Sequence, residues 1–119
     1  MNTSEQLVFF GDTPIENVGL LRSNAQRVPV QESFSAWKAA SISIEVETPS
    51  PTDTSVYFFL ETGKNLNLLV GAYLKAGHKF VDLDIPIDIF LLPRMRIIPE
   101  VQSFDSNAGK TTVVMTLRR

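Results

Sequence analysis

Three aspartates on one face of a predicted strand are the first candidates for chemistry in this sequence. They are Asp82, Asp84 and Asp88. Apolar residues fill the odd positions of 81–89, so a two-residue period puts neighbouring carboxylates ~7 Å apart along the strand. Paired carboxylates can transfer protons or bind Ca²⁺, but a straight strand cannot curl around an ion. The pattern favours a solvated acidic row, or one that meets Arg94 and Arg96 across the sheet or on a neighbouring subunit.

Other catalytic signatures are weak. His78 is the single histidine and falls in a predicted turn, and the chain has no cysteine to complete a zinc site. The sequence contains no G-x-S-x-G nucleophile elbow. Residues 108–111, AGKT, match the end of a phosphate-binding loop, but position 104 is Phe instead of Gly and a β-branched segment follows. We therefore predict a hairpin turn there, no catalytic residues, no metal or cofactor, and no enzymatic activity.

Aromatic residues could form a platform for a sugar or a nucleic-acid base. The candidates are Trp37, Tyr57, Phe59 and Tyr73. Aromatic residues in alternating strands more often belong to the core, so this interpretation is the less favoured of the two.

Composition narrows the classes of function. The chain has 119 residues, enough for one domain, and a net charge of −2 with scattered basic residues. A nucleic-acid binder usually carries a basic stripe, so we predict no nucleic-acid partner. No apolar run reaches the ~18 residues of a membrane span, and the N-terminus lacks the features of a signal peptide, so we predict no membrane association.

The elements that must position these residues are predicted to be strands. The central stretch is Leu74–Val101, interpreted as two antiparallel strands joined by a proline-bounded connection. Strict alternation also predicts strands over 39–47 and 111–117. β-Branched and aromatic residues predict a strand over 55–62 that is apolar on both faces, so it is either central or covered on its outer face. Residues 66–74 are apolar enough for a helix, but the central Gly71 favours a kinked strand. Six or seven short strands with turn signals between them predict an all-β fold, a single antiparallel β-sandwich or jelly roll.

The N-terminal third holds no regular period. We predict an extended arm with short strands over residues 1–32 and a β-sandwich domain over residues 33–119. The arm carries Phe9 and Phe10, which must be buried either in the core of their own domain or on a neighbouring subunit. We expect residues 1–20 to contact other chains more than their own domain.

The order of these features resembles the small cement, or capsid-decoration, proteins of tailed bacteriophages. The similarity covers most of the chain. It rests on the segments EQLVFFGD (Glu5–Asp12), SISIEVET (Ser41–Thr48), VYFFLET (Val56–Thr62), LKAGHKFVDLDIP (Leu74–Pro86), PRMRIIPEV (Pro93–Val101) and GKTTVVMTL (Gly109–Leu117).

This resemblance implies a structural virion protein that binds the outer capsid surface and stabilises contacts between major capsid subunits. The implied partners are the major capsid protein and further copies of the chain, as a dimer or trimer. The implied location is the capsid exterior, after assembly in the host cytoplasm. The interface residues expected on this basis are Phe9, Phe10, Asp82, Asp84, Asp88, Arg94 and Arg96. The alternative is a carbohydrate- or receptor-binding β-sandwich of a phage tail or appendage, with exposed aromatic residues around a groove.

Overall fold

The chain folds into two antiparallel sheets, in a computed structural model that describes residues 4–30 and 36–119. Sheet A has the order β1-β10-β4-β7, with β8 also paired to β4, and sheet B has the order β2-β9-β5-β6, with β3 also paired to β9. The all-β prediction is confirmed, and the arrangement is consistent with the predicted β-sandwich. The strands are β1 (Ser4–Pro14), β2 (Gly19–Leu20), β3 (Gln26–Arg27), β4 (Trp37–Val46), β5 (Thr54–Thr62), β6 (Asn65–Leu74), β7 (Phe80–Asp84), β8 (Phe90–Leu91), β9 (Arg96–Ser103) and β10 (Lys110–Arg118).

The core lies between the sheets, where the alternating residues of the strands meet. In β4, Ile42, Ile44 and Val46 are buried, while Ser43 and Glu45 between them are more exposed. β10 buries Val113, Met115 and Leu117 in the same way, as their spacing predicts. The predicted turn before β10 is a short 3-10 turn over Ser106–Ala108, after which the chain continues as a strand and not as a helix.

The predicted strand over 66–74 is confirmed as β6, the edge of sheet B. Its pairing with β5 shifts by one residue between Val70 and Leu68, so Leu69 is the extra residue of a β-bulge. Gly71 is not the bulge but makes room for an aromatic ring. A Cβ atom at Gly71 would lie 2.5 Å from Cδ1 of Tyr57, its cross-strand partner on β5.

The two strands of Leu74–Val101 do not pair with each other. β7 pairs with β4 in sheet A, and β9 pairs with β5 in sheet B. The connection carries Pro86 and Pro93 and spans the gap between the sheets, with the two-residue strand β8 on the way. Arg94, predicted to lie in the second strand, precedes it with a φ of 72°.

The segment predicted as an N-terminal arm supplies strands to both sheets. β1 pairs with β10 at the edge of sheet A, and β2 and β3 pair with β9 in sheet B. The predicted boundary between residues 32 and 33 lies outside the described residues.

Of the two places predicted for Phe9 and Phe10, the structure shows the core of their own chain. Phe9 is 0% exposed and its ring centroid lies 5.0 Å from that of Phe58 in β5. Phe10 is also buried in the core, because its φ of 68° turns the chain at the point where the pairing of β1 is interrupted. Both side chains therefore help to hold the two sheets together within one chain.

Candidate interaction surfaces

The predicted acidic row is exposed and does not meet the predicted arginines within the chain. Asp82 and Asp84 lie on the solvent side of β7, in alternation with the partly buried Val81 and Leu83. Asp88 lies beyond the end of β7, where its Oδ1 is 3.0 Å from Nζ of Lys38. Because both partners of this ion pair are exposed, its contribution to stability is small. The aspartates thus form a surface, and over the part of the chain that the structure describes they make no ion pair with Arg94 or Arg96.

Arg96 belongs to an ion-pair cluster on sheet B. Its Nη1 lies 2.8 Å from Oε1 of Glu61, and Arg22 Nη1 lies 2.5 Å from Oε2 of the same carboxylate. Arg96 also donates a hydrogen bond to the carbonyl oxygen of Arg22. The hydrogen bond from Arg96, followed by that from Arg22, lowers the pKa of Glu61 below its ordinary value of 4.5. The cluster ties the short turn over Arg22–Asn24 to the sheet.

Arg94 lies apart from this cluster. It is exposed, and its carbonyl oxygen accepts a hydrogen bond of 3.0 Å from Nη1 of Arg27. Within residues 4–30 and 36–119 the Arg94 side chain has no ion pair, whereas that of Arg96 is engaged by Glu61.

Within the described residues, His, Asp and Glu side chains form no group of three or more that could hold a metal ion. His78 is exposed in the turn between β6 and β7. Over residues 4–30 and 36–119, no helix is long and apolar enough to cross a membrane.

The aromatic candidates divide between the core and the surface. Trp37 is 2% exposed and donates a hydrogen bond from Nε1 to the carbonyl oxygen of Pro29. Tyr57 is 39% exposed and Tyr73 is 51% exposed. Both tyrosines lie on the outer face of sheet B, because Tyr57 pairs with Gly71 and Tyr73 is two residues further along β6.

These tyrosines belong to a larger apolar surface on the outside of sheet B. Phe59 pairs with Leu68, and both lie on the same face as the tyrosines. Leu66 lies on this face too, because it is two residues before Leu68 on the same strand. We call this surface the sheet-B patch: Tyr57, Phe59, Leu66, Leu68 and Tyr73. The sequence predicted that β5 would need a cover on its outer face, because its residues are apolar on both sides. It did not single out Leu66 or Leu68, because their exposure depends on β6 being an edge strand.

A second apolar surface lies around β8 at the edge of sheet A. Ile87 is 57% exposed, Phe90 61% and Leu92 50%. We call these three residues the β8 patch. The sequence predicted Ile87 to face the core along with the other odd positions. The strand ends at Asp84, however, so the two-residue period no longer determines which way Ile87 faces.

An open groove of about 280 Å³ runs between β6 and β7. Tyr73 and Phe80 line it with exposed rings, and Lys75 and His78 lie in the turn at its end. The groove exists because β6 and β7 are the edges of different sheets on the same side of the sandwich.

Comparisons with protein-family models, curated proteins and solved structures gave no significant match to this chain.

Proposed function

We propose that this chain is a structural virion protein that binds the outside of a capsid and stabilises contacts between major capsid subunits. The observation that carries the proposal is a pair of exposed apolar surfaces on different sheets, the sheet-B patch and the β8 patch. Exposed contiguous apolar surfaces on small proteins are typical of interaction sites. A protein that braces a joint needs two surfaces, one for each subunit that it contacts.

The resemblance of the sequence to capsid-decoration proteins supports a capsid as the binding partner. Charge supports a contact at the β8 patch, because the exposed residues Asp88 and Arg94 flank it in the sequence. Charged groups at the rim of an apolar contact fix its register more than they add affinity. Many copies on one shell multiply a modest interface into a large total effect.

Cosedimentation with capsids tests this proposal. The shells are assembled from the major capsid protein encoded in the same genome, and each patch is interrupted separately by Tyr57→Asp or Phe90→Asp. Burying an aromatic side chain contributes ~1.5–3 kcal/mol, so each variant is expected to bind about ten-fold or more weakly.

The matched control is Val18→Asp, because Val18 is 60% exposed and lies outside both patches. It is expected to sediment with capsids as the unmodified protein does. Absence of the unmodified protein from the capsid pellet would contradict the proposal, as would equal binding by all three variants.

The groove between β6 and β7 favours a second candidate function, recognition of a carbohydrate or receptor. Its two exposed rings, Tyr73 and Phe80, could stack on a sugar, with Lys75 and His78 as hydrogen-bond donors. The burial of Trp37 removes the largest aromatic residue from such a platform. A glycan array distinguishes the two functions: a specific glycan signal that Tyr73→Ala abolishes and Phe90→Asp leaves intact would favour the second.

A further inference from the structure

The two sheets differ in how their edges are protected against pairing with another strand. Exposed edges are usually blunted by charges, prolines, bulges or short length. β1 carries Glu5 and loses its pairing between Phe9 and Thr13, and β7 carries two aspartates. β2 and β3, at the other edge of sheet B, have two residues each.

β6 has the least protection among the described edges, because the bulge at Leu69 is the one such feature that it has. It is ten residues long, Asn65–Leu74, and its sequence NLNLLVGAYL contains neither a charged residue nor a proline. Its pairing with β5 leaves the opposite side of its backbone at the edge of the sheet. A long, neutral and apolar edge of this kind is a template for the addition of another strand.

We infer that β6 pairs antiparallel with β6 of a second copy of this chain, around a two-fold axis that passes between Leu69 and Val70. Two copies related in this way present the same residues to each other, so a charged strand would bring like charges together. β6 carries no charge between its ends, and self-pairing therefore costs no repulsion along the strand.

The bulge at Leu69 makes an axis at this position possible. In a regular strand, adjacent residues face opposite sides, and an axis between two of them would pair inner residues with outer ones. Leu69 and Val70 instead both pack against the core, because Leu69 is the extra residue of the bulge. Residues of the two copies that lie opposite each other across this axis therefore face the same side of the sheet.

The register that follows pairs outer residues with outer residues. Leu66 of one copy lies opposite Tyr73 of the other, and Leu68 lies opposite Gly71. Tyr73 is 51% exposed and Leu68 58% exposed in the single chain, and both would be covered in part by the added strand. The paired sheets would also bring the two sheet-B patches side by side.

Native mass spectrometry and light scattering of the purified chain test the dimer without any capsid. The unmodified protein is expected at twice the mass of one chain. Leu68→Lys places a charge in the middle of the pairing and is expected to give monomers. Val18→Lys is the matched control, because Val18 is 60% exposed and lies outside β6 and both patches, and it is expected to remain dimeric.

A cysteine pair tests the register, since the chain has no cysteine of its own. Leu66 and Tyr73 are ~23 Å apart along one strand, too far for a disulfide within a chain. The double variant Leu66→Cys/Tyr73→Cys is therefore expected to form a covalent dimer on oxidation. Leu66→Cys alone is expected to form none, because the two copies of residue 66 lie at opposite ends of the pairing.

Salt provides an independent readout. Lys64 and Lys75 flank β6 and would lie opposite each other at the two ends of the paired strands. Screening of this repulsion is expected to tighten the dimer as salt is raised. A monomeric unmodified protein would overturn the inference, and so would a dimer that survives Leu68→Lys or forms no Leu66–Tyr73 cross-link. A dimer that does not bind capsids would leave the inference standing and count only against the proposed function.

Discussion

At the scale of single residues, Gly71 shows how a missing side chain shapes the sheet-B patch. The ring of Tyr57 occupies the space in which a Cβ atom of residue 71 would lie, 2.5 Å from Cδ1. Gly71→Ala is expected to lower the free energy of unfolding by about 1–3 kcal/mol, because the Tyr57 ring must move away from residue 71 to make room for the added methyl group. Urea denaturation of the single variant measures this loss.

A double-mutant cycle with Tyr57→Ala separates this clash from other causes. Without the ring, Gly71→Ala is expected to be neutral or slightly stabilising, because alanine restricts the unfolded chain. A coupling of about 0.5–3 kcal/mol between the two positions is the predicted result. Additive losses would show that the Tyr57 ring does not depend on Gly71.

Glu61 makes the free energy of unfolding depend on pH. Its pKa is lowered in the folded chain by Arg96 and Arg22, so the stabilisation is present above the ordinary value of 4.5 and is lost as the pH falls through the lower folded value. Unfolding measured at a series of pH values is expected to show a decline at acid pH that Glu61→Gln makes shallower. Glu45→Gln, an exposed carboxylate on β4, is the control and is expected to leave the decline unchanged. Equal declines in the unmodified protein and Glu61→Gln would contradict this role.

At the scale of elements, β1 is the strand whose role differs most from expectation. It is a full edge strand of sheet A, and Phe9 anchors it against Phe58 of the other sheet. Phe9→Ala is expected to cost about 3–5 kcal/mol in the free energy of unfolding. Val8→Ala, on the adjacent residue with 39% exposure, is expected to cost less than about 1 kcal/mol.

Chemical denaturation measures the free energy of unfolding of both variants, and native mass spectrometry measures their self-association. An unchanged free energy of unfolding for Phe9→Ala, together with loss of self-association, would indicate that Phe9 contacts another subunit. The predicted result is the reverse, a destabilised chain.

The strands could be predicted where one sheet face is buried and the other solvated. β4 and β10 alternate for that reason, and the two-residue period of their residues is visible in the sequence. β7 was predictable to Asp84 for the same reason. The course of residues 85–95 was not, because short apolar runs interrupted by proline do not reveal which sheet the chain joins next.

The candidate surfaces were harder to predict than the strands. Whether Leu66, Leu68 and Tyr73 are exposed depends on the position of β6 at the edge of sheet B, and strand order is a property of long-range pairing. The acidic and basic residues suggested a contact because they are close in sequence. They lie apart because the chain crosses from one sheet to the other between β7 and β9.

At the scale of the whole molecule, the sandwich is closed on one side and open on the other. Phe9, Phe10 and Ile15 fill the side next to β1, and all three are buried. On the opposite side, β6 and β7 leave a groove between the sheets, and the sheet-B patch adjoins it. This asymmetry leaves one chain with a buried core and two exposed apolar surfaces.

The thermal stability of capsids with and without this protein tests the proposed function most directly. Release of packaged DNA, followed with a dye during heating, reports the temperature at which subunit contacts fail. We predict that saturating amounts of the unmodified protein raise this temperature, and that Tyr57→Asp and Phe90→Asp raise it less. A release temperature that does not change, although the protein cosediments with the capsids, would contradict a stabilising role.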